Sequence, residues 1–251
     1  MDKLNKVALV TGSSRGIGAA TAMKLAKLGY DICVNYKNDR NSATRILQQV
    51  KSFGVRCIAV QADVSQEADV IKLFEQIDVE LGTISALVNN VGILLPQTKL
   101  EHMTVERINR VFNTNVTSYF LCCREAIKRM STINGGQGGS IVNVSSAAAR
   151  LGSPNEYIDY AASKGAIDTL TKGLSIEVAA EGIRVNGVRP GFIKTDMHAD
   201  GGEPDRIERI KSSIPLQRGG EPEEVANTIG WLVSEEASYV TGSIIDVAGG
   251  R

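Results

Sequence analysis

Residues 7–28 hold the pattern that most narrows the fold. A short, unbroken apolar run, Val7-Ala8-Leu9-Val10, leads into Thr11-Gly12-Ser13-Ser14-Arg15-Gly16-Ile17-Gly18. Beyond it Ile17, Thr21, Leu25 and Leu28 recur at helical spacing until Gly29. An apolar run of this kind suits a strand buried on both faces, and a glycine is the residue expected just past a helix end. Strand, glycine turn and helix in that order bring backbone N–H groups and the positive helix end to one point, where a pyrophosphate can sit. Glycines alone also make plain tight turns; the flanking strand and helix favour nucleotide binding. No Lys-Ser or Lys-Thr follows the glycines, which argues against a triphosphate loop.

The same alternation repeats along the chain. Strands are predicted at Asp31–Tyr36, Arg56–Gln61, Ile84–Val88, Ser140–Val144 and Ile183–Val188, with a last one within Thr241–Gly250. Helical stripes lie between them: Ala43, Ile46, Leu47 and Val50; Val70, Leu73, Phe74 and Ile77; a long one from Glu106 to Met130; and one from about Tyr160 to Ala180, stopped by Gly182. Glu221-Pro222-Glu223-Glu224 reads as a helix start, with Pro at the first position and acids at the dipole's positive end. Strands alternating with helices predict an α/β fold: a doubly wound, seven-stranded parallel sheet with helices on both faces, in a single domain spanning 1–251.

With 28 basic and 28 acidic residues among 251, the charge balance points to neither nucleic acid nor a membrane surface as partner. The four cysteines (Cys33, Cys57, Cys122, Cys123) sit in apolar runs without metal-ligand spacing, so we expect no metal and reduced core thiols in a cytoplasmic protein. Residues 1–6 lead directly into the first strand, leaving no room for a signal peptide, and no apolar run is long enough to span a bilayer.

Tyr160 and Lys164 are four residues apart and share one helix face. An ammonium about 4 Å from a phenol, at an effective dielectric near 20, is worth roughly 4 kcal/mol. That would bring the phenol's pKa down from about 10 by up to about three, towards a working acid/base. With the T-G-x-x-x-G-x-G turn upstream, this Y-x-x-x-K pair resembles the short-chain dehydrogenase/reductase family, a single-domain, NADP-preferring kind, and the likeness runs from Val7 to Gly250.

The resemblance implies a catalytic set of Asn115, Ser146, Tyr160 and Lys164. Asn115 would hold a water linking the lysine to solvent, and Ser146 would bind the substrate oxygen. Ser146 lies 14 residues before Tyr160, one more than the family's usual spacing, which leaves Ser145 open as the alternative. Gly12, Ser14, Arg15, Gly16, Ile17 and Gly18 match the cofactor loop. Asn35, Tyr36 and Lys37 stand where a dinucleotide fold chooses its cofactor. An acidic residue about 20 positions past the first glycine, at the strand end, would hold a free ribose hydroxyl; here that end reads Asn35-Tyr36-Lys37-Asn38, with no carboxylate from there until Asp39, and Arg15 and Lys37 supply cations instead. We therefore expect NADP(H) rather than NAD(H).

Asp63 and Val64 match an adenine-contacting pair, with a plain turn residue as the other reading of Asp63. Asn90 and Gly92 belong to N-N-V-G, where the family has N-N-A-G; Asn90 is read as a cofactor contact or a strand lock. Pro190, Gly191, Ile193 and Thr195 match the nicotinamide end, together with Tyr160 and Lys164. The glycine-rich end, T-G-x-x-x-x-x-x-G-G, implies a homotetramer. Residues 194–217 read as a lid over the substrate, in which His198 is taken as solvated and no arginine clamp is evident. The activity implied is hydride transfer between NADP(H) and a carbonyl or secondary alcohol, with Tyr160 as acid/base. A 3-oxoacyl carrier-protein reductase, using Lys128, Arg129 and Lys172 to meet the carrier, and a sugar or polyol dehydrogenase are the rivals. A non-catalytic NADP(H)-binding module is the alternative from another class.

Overall fold

The computed structural model describes residues 6–251, so the reading of a missing signal peptide lies largely outside the described residues. Seven parallel strands form one sheet: β1 Val7–Val10, β2 Asp31–Tyr36, β3 Cys57–Gln61, β4 Ala86–Asn89, β5 Gly139–Val144, β6 Ile183–Pro190 and β7 Ile244–Val247. Their order is β3-β2-β1-β4-β5-β6-β7, so the sheet is wound outward both ways from β1 and β4. The helices are α1 Gly16–Lys27, α2 Arg40–Lys51, α3 Glu67–Glu80, α4 Val105–Phe112, α5 Ser118–Met130, α6 Ala148–Leu151, α7 Ile158–Glu177, α8 Met197–Asp200, α9 Arg206–Ile210 and α10 Pro222–Val233. Among the described residues none is long and apolar enough to cross a membrane.

Strand residues alternate between two cores, which is why the strands read as unbroken apolar runs. Val7, Leu9, Cys33, Leu87 and Ile141 face the layer of α3, α5 and α7. Ala8, Val10, Ile32, Val34, Val88 and Val142 face α1, α2 and α10. Tyr36 closes the second core, so it packs inside rather than standing over a ligand crevice. All four cysteines are buried and free, and burial holds each thiol's pKa up, Cys57 and Cys123 at about 12. They are inert apolar fillers.

The helical stretch from Glu106 to Met130 is interrupted. Between α4 and α5, Asn113–Thr117 forms a π-helical turn, and Asn115 within it is fully buried. Such a turn widens the backbone ring and turns one residue inward. No stripe of apolar residues signals it.

Candidate active site

Because every strand is parallel, the ends of β1, β4, β5 and β6 deliver their loops to one edge of the sheet, on either side of the reversal in strand order. At the end of β1 the glycine turn has Gly12 and Gly16 at φ +61° and +54°, a region closed to most side chains. The N-cap Arg15 makes no side-chain cap bond, so the first N–H groups of α1 are open to an anion. Gly18 sits under the turn: a Cβ there would lie 2.5 Å from the Gly12 carbonyl oxygen and 2.6 Å from Asn90 Nδ2. Gly18→Ala is therefore expected to displace the turn, weakening cofactor binding at least tenfold in an equilibrium titration and destabilising the fold by about 1–3 kcal/mol.

Asn35, expected as a cofactor contact, is spent on this turn. Its Oδ1 accepts from Gly12 N–H at 3.1 Å, and its Nδ2 donates to the Val60 and Ala62 carbonyls at 3.4 and 3.1 Å. Buried, with these three bonds, it braces the loop. Asn90 is likewise a strand lock, its Nδ2 donating to the carbonyls of Thr11 and Gly12 at 3.0 and 3.2 Å.

The expected phosphate cations both face carboxylates. Lys37 lies 2.6 Å from Asp63. Burial pushes the Asp63 carboxyl's pKa up, but hydrogen bonds from Lys37 and Ser65 outweigh it and hold the pKa below the ordinary value. Beside this pair is a hollow of about 640 Å³, walled also by Ser65, Gln66, Asn109, Arg110 and Thr114. Val64 is buried in the first core. Arg15 reaches across to the lid, 2.6 Å from Asp200 and 3.8 Å from Asp196.

At the far end, Gly92 joins the catalytic candidates: a Cβ there would meet Lys164 Nζ at 3.5 Å and Asn115 Oδ1 at 3.7 Å. Asn115 clamps Ile93 through both its amide atoms, accepting from the Ile93 N–H at 2.8 Å and donating to its carbonyl at 3.1 Å, and also donates to Ser163 at 3.2 Å. Ser146 approaches Tyr160 closely enough for its hydroxyl to lower the phenol's pKa by hydrogen bonding. Ser145 is buried and donates to the Lys164 carbonyl at 3.1 Å, which favours Ser146 over it. The longer loop between Ser146 and Tyr160 is tightly wound, with Ser153 and Asn155 at φ +44° and +63°. Below Tyr160, buried Asp159 accepts from Arg107 Nε at 2.8 Å, while Arg107 Nη1 donates to the Pro96 carbonyl at 2.7 Å. Thr195 packs on the glycine turn, where a Cβ on Gly16 would lie 3.2 Å from it. Pro190 ends β6, Gly191 abuts Ala248, and Ile193 is buried in the second core.

The acid/base electrostatics differ from expectation. Burial raises the Tyr160 phenol above its ordinary pKa, with Ser146 and then Arg206 pulling down against it. Lys164 does not lower it. Its Nζ donates to the Val144 carbonyl at 2.8 Å and lies 3.3 Å from Tyr119 Oη, and burial brings its own pKa down to about 7. The same burial that raises the phenol thus also works against the ammonium 5.7 Å from its ring centroid.

The lid is folded down. Arg206, which the sequence did not single out, is buried with its Cζ 4.7 Å from the Tyr157 ring centroid and 5.5 Å from that of Phe192, and it pairs with Glu156. Gln97 donates to Glu203 at 2.7 Å, tying the lid to the loop after β4. His198 is half-buried rather than solvated, with Nε2 3.0 Å from the Ile193 carbonyl. Arg206 is 46 residues beyond Tyr160 (206 − 160), with nothing local to mark it.

A family model described as Enoyl-(Acyl carrier protein) reductase matches residues 12–251. An uncharacterized oxidoreductase of Escherichia coli strain K12, YgfF, is 62% identical over 98% of this chain and 99% of its own. A short-chain type dehydrogenase/reductase from Mycobacterium marinum superposes with a TM-score of 0.92 at 33% identity, covering 99% of this chain and 96% of that one. The chain belongs to the short-chain dehydrogenase/reductase family. A blue fluorescent protein from a metagenomic library, solved in complex with NADPH, has a TM-score of 0.89 and 38% identity, with 98% of both chains covered. This member is thus an oxidoreductase on the family's nicotinamide-binding fold.

Proposed function

We propose that this protein reduces a small ketone or aldehyde, or oxidises the matching secondary alcohol, with NADP(H) and with Tyr160 as acid/base. The observation that carries the reading is the meeting of Ser146, Tyr160, Lys164, Asn115 and Gly92 where β4 and β5 end, across the sheet edge from the uncapped start of α1. The open helix start and the glycine cradle fit a dinucleotide. Gly12, Ser14, Arg15, Gly16, Ile17 and Gly18 would hold its pyrophosphate, and Asp63 and Val64 the adenine end. Gly92, Pro190, Gly191, Ile193, Thr195, Tyr160 and Lys164 would hold the nicotinamide end, with Asn90 fixing the loop. When bound, the nicotinamide supplies or takes up the hydride. Ser146 orients the substrate oxygen, Tyr160 donates its phenolic proton to the forming alkoxide or removes it in the reverse direction, and Lys164 secures that end of the site.

For cofactor choice we favour NADP(H), since Lys37 is exposed and, among the described residues, its only carboxylate partner lies on a neighbouring loop. Lys37→Ala is expected to raise KM for NADPH about tenfold while moving KM for NADH less than about twofold. An unchanged NADPH KM would remove Lys37 from the phosphate site.

The carrier-protein reading has the family model's description behind it, but two of its three cations are already engaged. Lys128 and Arg129 both pair with Glu125, at 2.7 and 3.1 Å, and Arg129 also with Asp78 at 2.8 Å. Free and carrier-linked ketones, hydroxylated carbonyls and their alcohols, each followed by the absorbance of reduced nicotinamide with either cofactor, test the whole proposal. Turnover of none of them would leave only the nucleotide-binding module. A cytoplasmic homotetramer is part of the same proposal, and the assembly is checked by light scattering.

A further inference from the structure

On α5, Tyr119 buries a hydroxyl against the amine of Lys164. The side chain is 1% exposed, and its Oη lies 3.3 Å from Lys164 Nζ and 2.9 Å from the Val144 carbonyl oxygen, to which it donates. Lys164 Nζ donates to the same carbonyl at 2.8 Å, so hydroxyl, amine and carbonyl close a triangle at the end of β5. Nζ stands near two phenol rings, 5.2 Å from the Tyr119 centroid and 5.7 Å from that of Tyr160. Gly92 carries no side chain towards it, and the Asn115 amide is committed to Ile93 and Ser163. Among the described residues, Val144 and Tyr119 are the only hydrogen-bonding partners of Nζ.

We propose that Tyr119 is a positioning residue, whose hydroxyl holds Lys164 Nζ in place beside Tyr160 in both of the lysine's protonation states. A carbonyl can only accept, so Val144 restrains an N–H but offers nothing to the lone pair of a neutral amine. A hydroxyl both accepts and donates. Facing the ammonium, Oη accepts from Nζ and keeps its own proton on the Val144 carbonyl, which has a lone pair for each donor. Facing the neutral amine, the same O–H can turn to the lone pair of Nζ, which keeps its bond to Val144. The ring adds to the hold on the charged form, since aromatic faces attract ammonium ions. Burial, reinforced by Tyr160, pushes the Tyr119 phenol well above its ordinary pKa, so Oη retains the proton that this needs. Of the other groups here, Asp168, one turn further along α7, favours the ammonium, and the neighbouring Cys122 and Cys123 stay protonated. The inference rests on the reading of Tyr160 and Lys164 as the acid/base pair, and it adds a residue to that site.

The test labels the lysines with carbon-13 at Cε and follows Lys164, identified as the NMR signal missing from Lys164→Met, through a pH titration of the cofactor-free protein. In wild type this signal should titrate near pH 7. Tyr119→Phe keeps the ring and leaves the Val144 carbonyl its bond from Lys164, so the fold should persist. Hydrogen bonds from a charged donor are the stronger ones, so losing Oη costs the ammonium more than the amine, and the Lys164 titration should move down by about one pH unit. With Nζ less firmly placed, kcat for ketone reduction at pH 7 should fall roughly tenfold. A folded Tyr119→Phe in which Lys164 titrates as in wild type, or in which kcat is unchanged, overturns the proposal and leaves Tyr119 to packing alone. The wild-type Tyr119 hydroxyl proton gives a reading that needs no variant: its resonance should move as Lys164 titrates, and one that stays fixed overturns the proposal as well. A shifted titration in a protein that turns over no carbonyl compound would instead count against the function proposed above and leave the hold on Lys164 standing. Turnover with an unshifted titration would do the reverse.

Discussion

Tyr160→Phe is expected to lower kcat by roughly 10²–10⁴-fold, the span over which general acid–base catalysis contributes, while shifting the affinity for NADPH by less than about threefold. The substitution removes one oxygen from a half-buried ring. The fold should not notice, because the Tyr160 backbone N–H stays bound to Asp159 Oδ1 at 2.9 Å and the ring keeps its place at the start of α7. What disappears is the proton that neutralises the alkoxide. A variant with most of its activity intact would mean that another group, or water, supplies that proton. A variant that also lost NADPH affinity would mean that Tyr160 acts chiefly as a cofactor ligand. Only loss of turnover with binding preserved separates a proton-transfer role for Tyr160 from a cofactor-binding one, so stopped-flow binding and steady-state turnover have to be measured on one preparation.

The phenol's raised pKa bears on this result. A phenol that holds its proton is competent as an acid in carbonyl reduction and poor as a base in alcohol oxidation at neutral pH. Under the proposed function, that direction favours carbonyl reduction over alcohol oxidation. The Tyr–Lys spacing alone suggested the opposite shift, since it counts a charge one turn away and ignores the cost of burying that charge.

What the sequence revealed and what it hid divide along the same line. Contiguous features were readable: β1 and β2 fall where their apolar runs fall, Gly29 and Gly54 end α1 and α2 at positive φ, and the alternation of strands and helices gives the doubly wound sheet. The glycine turn, Ser146, Tyr160 and Lys164 were legible because each sits at the end of a readable element. Pairings across the chain were not. Asn35 looks free at the end of a strand until the fold brings Gly12, Val60 and Ala62 around it. Arg15 meets Asp200, a residue 185 positions away. Arg206 and His198 acquire meaning only once the lid lies against Tyr157 and Phe192. In each case the deciding energy is a desolvated contact between distant segments, which local pattern does not encode.

Lys164→Met should abolish turnover and yet leave the cofactor-free protein at least as stable as wild type at pH 7. Burial brings the Lys164 pKa down to about 7, from 10.5 for a solvated lysine. Between those values the unfolded chain binds the proton and the native chain does not, so this residue's contribution to stability rises with pH across that window. It is fully present above about 10.5 and is lost as pH falls through about 7, where the native state must carry a buried ammonium. The slope attributable to Lys164 approaches 1.4 kcal/mol per pH unit. Methionine fills similar space and carries no charge. The Val144 carbonyl is not orphaned, since Tyr119 Oη still donates to it at 2.9 Å. Urea unfolding of wild type and Lys164→Met at pH 7 and pH 9.5 therefore isolates the residue: wild type should gain roughly 3 kcal/mol on the variant over that interval, while the buried thiols and Tyr160 titrate alike in both. A difference that stays flat with pH would show Lys164 charged throughout in the native state. It would then be a permanent cation beside Tyr160, able to do what its place one helical turn along first suggested. A difference that rises means that the site carries a destabilising amine, kept for its reaction and discharged of its proton by burial until a cofactor's hydroxyl groups arrive to share it.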